Sequence, residues 1–265
     1  PDTGSNNSHV SDCRNLYTHN AVKLQGGKAK MTVYVNKVRG IDDAIVTMFM
    51  SKRSWTREKE MHIRDLVQQA TVDYTGKIDP SVSPELNDHI AKLCKWGVNH
   101  ITMLRFVDFS ITVEGLHGQD DWDAHAKRFD NRIIRTSTRL STFADEMSDF
   151  YKGKIIPTDT ALGILGITTP DTIVHDGVSY VRTHNGYIRE DMKDDKDVKR
   201  GLYMLSIPSN FIFKIDLTEY GHVFKERREG GTANPEVKQV AEAVADGIQN
   251  LVPWFTRDLL MSIKN

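Results

Sequence analysis

Two adjacent arginines, Arg227 and Arg228, stand a few residues ahead of Asn234-Pro235, with Gly230 and Gly231 in between. Asn accepts hydrogen bonds from the first amides of a helix and Pro suits its first turn, so a helix starts here. Val237, Val240, Val244, Ile248 and Leu251 follow at helical spacing and form one apolar stripe. A helix N-terminus offers unpaired N–H groups and the positive end of the dipole, which, with two guanidinium groups just upstream, can hold an anionic ligand. The same arginines can equally be surface residues paired with Glu226, Glu229 or Glu236, and the spacing leaves both readings open.

Arg132, Arg135 and Arg139 form a second basic set. Residues 126–153 read as the longest helix of the chain, which would put these three guanidinium groups on one side. Such a stripe is either a phosphate site or a solvated face balanced by acids. Downstream, Glu146 and Ser148 supply an acceptor and a hydroxyl able to grip a ribose or phosphate, or to serve in a cap or core. His100 follows a helix-ending Gly97 and precedes a strand, a junction where side chains commonly face a cleft, though a lone histidine serves structure as readily.

Other chemistries lack their signals. There is no GxGxxG fingerprint, GxxxxGK[ST] loop, HExxH or GxSxG. Cys13 and Cys94 are too few for a disulfide scaffold and are not spaced as a zinc site, so no metal is expected and a reducing compartment is. A formal net charge of -1 gives no bulk attraction to nucleic acid. The longest apolar runs fall far short of the roughly 20 residues of a membrane span. The opening PDTGSNNSHVSD has no signal-peptide core, and the expected setting is cytoplasmic.

The elements that must hold these residues follow from periodicity. Residues 1–30 are polar and aperiodic and read as an N-terminal arm, with a single domain over 31–265. Met31 to Lys37 alternates as a strand, and two helical segments follow it. Ser83, Pro84, the face of Leu86, Ile90, Leu93 and Cys94, and a terminal Gly97 specify a further helix. Phe109, Ile111 and Val113 lie on one face of a strand, and an acidic loop is expected from Glu114 onward. His175-Asp176-Gly177 and His184-Asn185-Gly186 punctuate a small meander, and Phe211, Phe213, Ile215 and Leu217 alternate as a core strand. The class is α+β.

Three pieces of the chain, in order, resemble the flavin-dependent thymidylate synthases, over about residues 31–260. The segment from Arg228 to Lys238 follows the family's spacing between an arginine pair and a helix start, with Asn234 in the place of a Gln and Lys238 in that of an Arg. TRLSTFADEMSDFY is similar to part of the signature RHRxxSxNExSxR and keeps Glu146 and Ser148. NHIT, with His100 and Thr102, resembles the family's GHET-like piece.

The resemblance implies a mixed sheet with surrounding helices, assembled as a homotetramer whose sites draw on several subunits. It implies FAD as cofactor, NADPH and methylenetetrahydrofolate as co-substrates, and methyl transfer to dUMP giving dTMP. By the same resemblance His100 and Thr102 border the flavin, Arg139, Arg227, Arg228 and Asn234 hold FAD, and Arg135, Glu146 and Ser148 hold the nucleotide. Lys238 takes the catalytic position, favouring ionisation of the uracil. The departures are that Arg139, alone or with Arg135, represents the RHR triplet, that Phe150 replaces the signature's last Arg, and that Glu219 falls near a position where the family commonly has a nucleotide-binding Arg. They leave two alternatives, the same chemistry on another pyrimidine nucleotide, or a nucleotide-binding homologue without catalysis.

Overall fold

Alternating apolar residues build the centre of the molecule, a computed structural model that describes residues 21–23, 31–116, 132–135, 153–183, 186–195, 198, 209–228, 230, 233 and 235–264. Strands β1 (Ala21–Lys23), β2 (Thr32–Arg39), β3 (Asp108–Leu116), β4 (Arg132–Arg135) and β8 (Ser209–Asp216) form one sheet in the order β1-β2-β3-β8-β4. The α+β class holds, and where a mixed sheet was expected every described pairing is antiparallel. Val33, Val35, Phe109, Ile111, Val113, Phe211, Phe213 and Ile215 are buried, because period-2 alternation turns all of them to one face.

Helices cover that face. They are α1 (Ile41–Ser51), α2 (Arg57–Ala70), α3 (Pro84–Gly97), α4 (Thr158–Ile164), α5 (Leu217–Arg227), α6 (Pro235–Leu251) and α7 (Arg257–Ser262). The apolar stripe of α6 lies on β2, and the absence of a side chain at Gly247 lets the helix close on Val35. A separate three-stranded meander consists of β5 (Thr172–His175), β6 (Val178–Thr183) and β7 (Gly186–Arg189). Its first turn is the expected one, with Asp176 and Gly177 both at positive φ.

Within the expected N-terminal arm, residues 21–23 pair with Thr32, Val33 and Tyr34 as an edge strand. Three expectations are corrected. The strand β3 continues through Gly115 to a buried Leu116, where a loop was expected. Residues 132–135 lie in β4, not in a helix, because RIIR finds a ladder partner in β8, with Arg132 opposite Lys214 and Arg135 opposite Phe211. The helical spacing of Arg132 and Arg135 therefore has no meaning here, and Arg139 lies outside the described residues. Lastly, α5 replaces the extension of the strand at Leu217: the Asp216 carboxylate accepts hydrogen bonds from the N–H groups of Thr218 (2.8 Å) and Glu219 (2.9 Å) and starts a helix.

In α3 the Ser83 hydroxyl accepts from the Leu86 N–H at 3.1 Å, and Leu86, Ile90 and Leu93 are buried as expected. His89 on the same helix stands edge-on to Phe49, with centroids 5.2 Å apart. Its Nδ1 is buried with no hydrogen-bond partner among the described residues, while Nε2 faces Glu85 at 3.5 Å. Burial depresses the imidazole below its ordinary range, outweighing the opposite pull of Glu85. The folded state thus binds this proton less well than the unfolded chain, whose imidazole titrates near 6.5. Stability is complete above that pH and is lost as pH falls through the folded value. His89→Phe is expected to lose less stability than the parent across that window, as read from urea denaturation above and below it.

Candidate functional site

The junction of α5 and α6 carries three of the basic residues singled out in the sequence, Arg227, Arg228 and Lys238. Arg227 ends α5 and Arg228 is its C-cap, with the Arg228 N–H donating to the Phe224 carbonyl at 2.8 Å. Cations at a helix C-terminus offset the negative end of the dipole, so both arginines have a structural reason to be here. They are not solvated surface groups, however: both are half-buried and the Nε atoms are out of water. Gly230 follows at φ 84, and a Cβ at that position would lie 3.5 Å from Arg228 Nη1, so the guanidinium folds back over the turn.

Lys238, half-buried, sits in the first turn of α6 on the other side of this connection. Glu236 in the same turn is 1% exposed. A carboxylate is so deeply buried only where it is compensated, and the positive end of a helix is one such place. The reading of Glu236 as one member of a solvated surface set is therefore corrected. Its position directly after the helix-starting Pro235 was the signal available in the sequence.

His100 and Thr102 are elsewhere. Both are exposed, between α3 and a 3-10 turn at Leu104–Phe106. The His100 N–H donates to the Trp96 carbonyl at 3.0 Å, and its carbonyl accepts from Met103 at 3.1 Å. This segment is tied to the start of α5, where the Thr218 hydroxyl donates to the Ile101 carbonyl at 3.4 Å. Arg228 lies at the far end of the same helix, roughly 15 Å along its axis at the usual rise per residue. Within one chain Arg227, Arg228 and Lys238 share a connection, and His100 and Thr102 are held apart from it. Arg135 is placed on β4 by its backbone, and Arg139, Glu146, Ser148 and Asn234 lie outside the described residues.

Glu219 falls in the first turn of α5, where a negative charge favours the helix and a phosphate-binding cation would not. Cys94 is no nucleophile, since burial pushes its thiol up to about 12. No cluster suited to a metal ion occurs among the described residues. Two described cavities, of about 660 and 420 Å³, are lined by none of the residues singled out in the sequence.

The fold is that of the flavin-dependent thymidylate synthases. Thymidylate synthase X from Helicobacter pylori, solved with FAD and dUMP, superposes with a TM-score of 0.52 at 11% identity, over 87% of this chain and 99% of that one. A second structure of the Helicobacter pylori enzyme with FAD and dUMP gives 0.51 at 11% identity, over 88% and 99%. The UMP/dUMP methylase PolB from Streptomyces cacaoi, bound with 5-Br dUMP, gives 0.51 at 11% identity, over 89% and 96%. No protein-family model and no curated protein sequence matches the chain.

Proposed function

We propose that this chain is a flavin-dependent methyltransferase of the thymidylate synthase type, converting dUMP to dTMP. The observation that carries the reading is the shared fold along nearly the whole length of enzymes solved with FAD and dUMP. The half-buried basic connection between α5 and α6 supports it, because arginines held partly out of water beside a helix N-terminus suit a diphosphate.

When bound, FAD supplies the hydride, with NADPH as its reductant and methylenetetrahydrofolate as the carbon donor. Arg227 and Arg228, with Asn234 and Arg139, would hold the cofactor through its phosphates. His100 and Thr102 border the flavin, and Arg135, Glu146 and Ser148 hold the nucleotide. Lys238 keeps a positive charge beside the uracil ring and favours its ionised form. A homotetramer in the cytoplasm suits this division of labour, since the His100 segment of one copy can meet the Arg228 end of another across a subunit boundary.

A second reading has its own support. Lys238 is a point charge without the planar fork of the Arg it replaces, and Glu219 adds a carboxylate. One of the fold neighbours is a methylase of UMP as well as dUMP. The substrate in this reading is another pyrimidine nucleotide. Purified protein supplied with FAD, NADPH and methylenetetrahydrofolate, and separately with dUMP, UMP or dCMP, distinguishes the readings by the mass of the product. Methylated dUMP is expected. Product from UMP or dCMP alone favours the second reading. Binding of FAD and dUMP without any product leaves a nucleotide-binding homologue without catalysis.

A further inference from the structure

The cavity of about 420 Å³ lies where β2 runs into α1 and the turn that follows α2 folds against them. Its walls are pinned. The Val38 N–H donates to the Thr75 carbonyl and the Val72 N–H to the Lys77 carbonyl, both at 2.8 Å, and a bridge joins Thr71 to Ile78. A Cβ at residue 76 would lie 2.4 Å from the Val38 carbonyl oxygen, so glycine there lets the turn close on β2. Val38, Ile41 and Ile78 line the cavity and are buried. Its volume falls at the lower end of the range for small-molecule sites, roughly 300–1,000 Å³.

The charges around it do not balance locally. Of the three cations that line it, Arg64 is spent on its neighbours, donating to Asp42 at 2.5 Å and to Asp43 and Glu60 at 2.9 Å. The other lining carboxylate, Asp73, accepts from the Thr75 N–H at 2.8 Å. Lys37 and Arg39 remain, and their side chains make no hydrogen bond or ion pair among the described residues. Tyr74, on the same turn, is 56% exposed, which leaves a ring face open for a planar group. The Gln68 amide, also in the lining, offers both a donor and an acceptor.

We propose that this cavity binds a nucleoside monophosphate, with its phosphate on Lys37 and Arg39 and its base against Tyr74. The two unanswered cations match a doubly negative phosphate, and the Arg39 fork can meet two of its oxygens at once. An inorganic or sugar phosphate would leave Tyr74 and Gln68 unused, and the volume suits one nucleotide better than a dinucleotide. His100, Thr102, Arg227, Arg228 and Lys238 do not line the cavity, so it is separate from the proposed flavin site and independent of the proposed chemistry.

Calorimetric titration of the full chain with AMP tests the proposal, in saturating FAD and dUMP so that the proposed catalytic site is already filled. One AMP per chain is expected to bind, with ribose 5-phosphate, adenosine and inorganic phosphate each at least about tenfold weaker. Arg39→Glu is expected to weaken AMP at least about tenfold and Tyr74→Ala at least about fivefold. Both side chains are exposed, so both variants are expected to keep the parent's circular dichroism spectrum. Lys193→Glu makes the same kind of charge change on another exposed stretch and is expected to bind AMP as the parent does. No saturable binding up to about 1 mM AMP overturns the proposal. So does AMP binding that survives both Arg39→Glu and Tyr74→Ala, or falls equally in Lys193→Glu. Inorganic phosphate or ribose 5-phosphate binding as tightly as AMP also overturns it and leaves a simple anion site. A chain that retains no flavin contradicts the FAD reading by its lack of colour, while the AMP titration still decides this one.

Discussion

Arg228→Ala is expected to retain FAD about 10- to 100-fold less tightly than the parent while remaining folded. A guanidinium that donates charge-assisted hydrogen bonds to a diphosphate contributes about 1.5–3 kcal/mol, which sets that range. The structural cost is smaller. As the C-cap of α5, Arg228 offsets the helix dipole, worth about 0.3–1 kcal/mol at such a site. Cofactor loss therefore exceeds the loss of stability. Arg257→Ala is the informative control, because Arg257 pairs with Glu242 at 2.8 Å and Asp246 at 2.6 Å and has no part in the proposed cofactor site. It is expected to lower stability and leave flavin content as it was. Flavin absorbance per chain after desalting, set beside a thermal melt of each variant, measures both quantities. Equal flavin content in Arg228→Ala and the parent removes this residue from the cofactor site.

Gly40→Val is expected to destabilise the fold by at least about 3 kcal/mol. Gly40 joins β2 to α1 at φ 77, a left-handed conformation that a β-branched residue resists. Space is the greater obstacle, since a Cβ there would sit 1.9 Å from the Phe106 carbonyl oxygen. That oxygen is backbone, so no side-chain rotation relieves the clash. Phe106 closes the 3-10 turn that follows His100 and Thr102, and moving it disturbs the segment that carries them. Gly163→Ala makes the contrast: it lies in α4 at an ordinary helical φ with open space around it, and it is expected to be neutral or to gain about 0.5–1 kcal/mol. Denaturant midpoints of the two variants and the parent test both statements.

What the sequence made legible was local chemistry. The Ser83-Pro84 start of α3, the alternation of β3 and the Asp176-Gly177 turn each depend on residues within one turn or strand, and each stands as read. The strand β4 was illegible because its four residues become a strand only by pairing with β8, whose partner residues lie about eighty positions downstream. In α5 the Asp216 cap was present in the sequence, but Leu217 continued the alternation of β8 and concealed the change of period. Gly221 lies in the middle of that helix, a position where glycine is unfavourable. Its role is tertiary, since a Cβ at 221 would meet the tip of the Ile263 side chain at 2.9 Å and the Leu260 carbonyl oxygen of α7 at 3.3 Å, so glycine eases the close packing of α5 on this segment.

The candidate site divides the same way. The basic residues around the start of α6 could be found by spacing, and the structure places Arg227, Arg228 and Lys238 at one connection. That the arginines are half-buried, and that Glu236 is buried beside the start of α6, depends on how two helices pack, which no local pattern encodes. The separation of His100 from Arg228 follows from α5, an element that the sequence reading lacked.

The most direct test of the account is the stoichiometry of FAD on the purified full chain, measured by absorbance after incubation with FAD and desalting. The account predicts flavin bands that remain with the protein, near one FAD per chain. A folded protein that stays colourless under those conditions contradicts it.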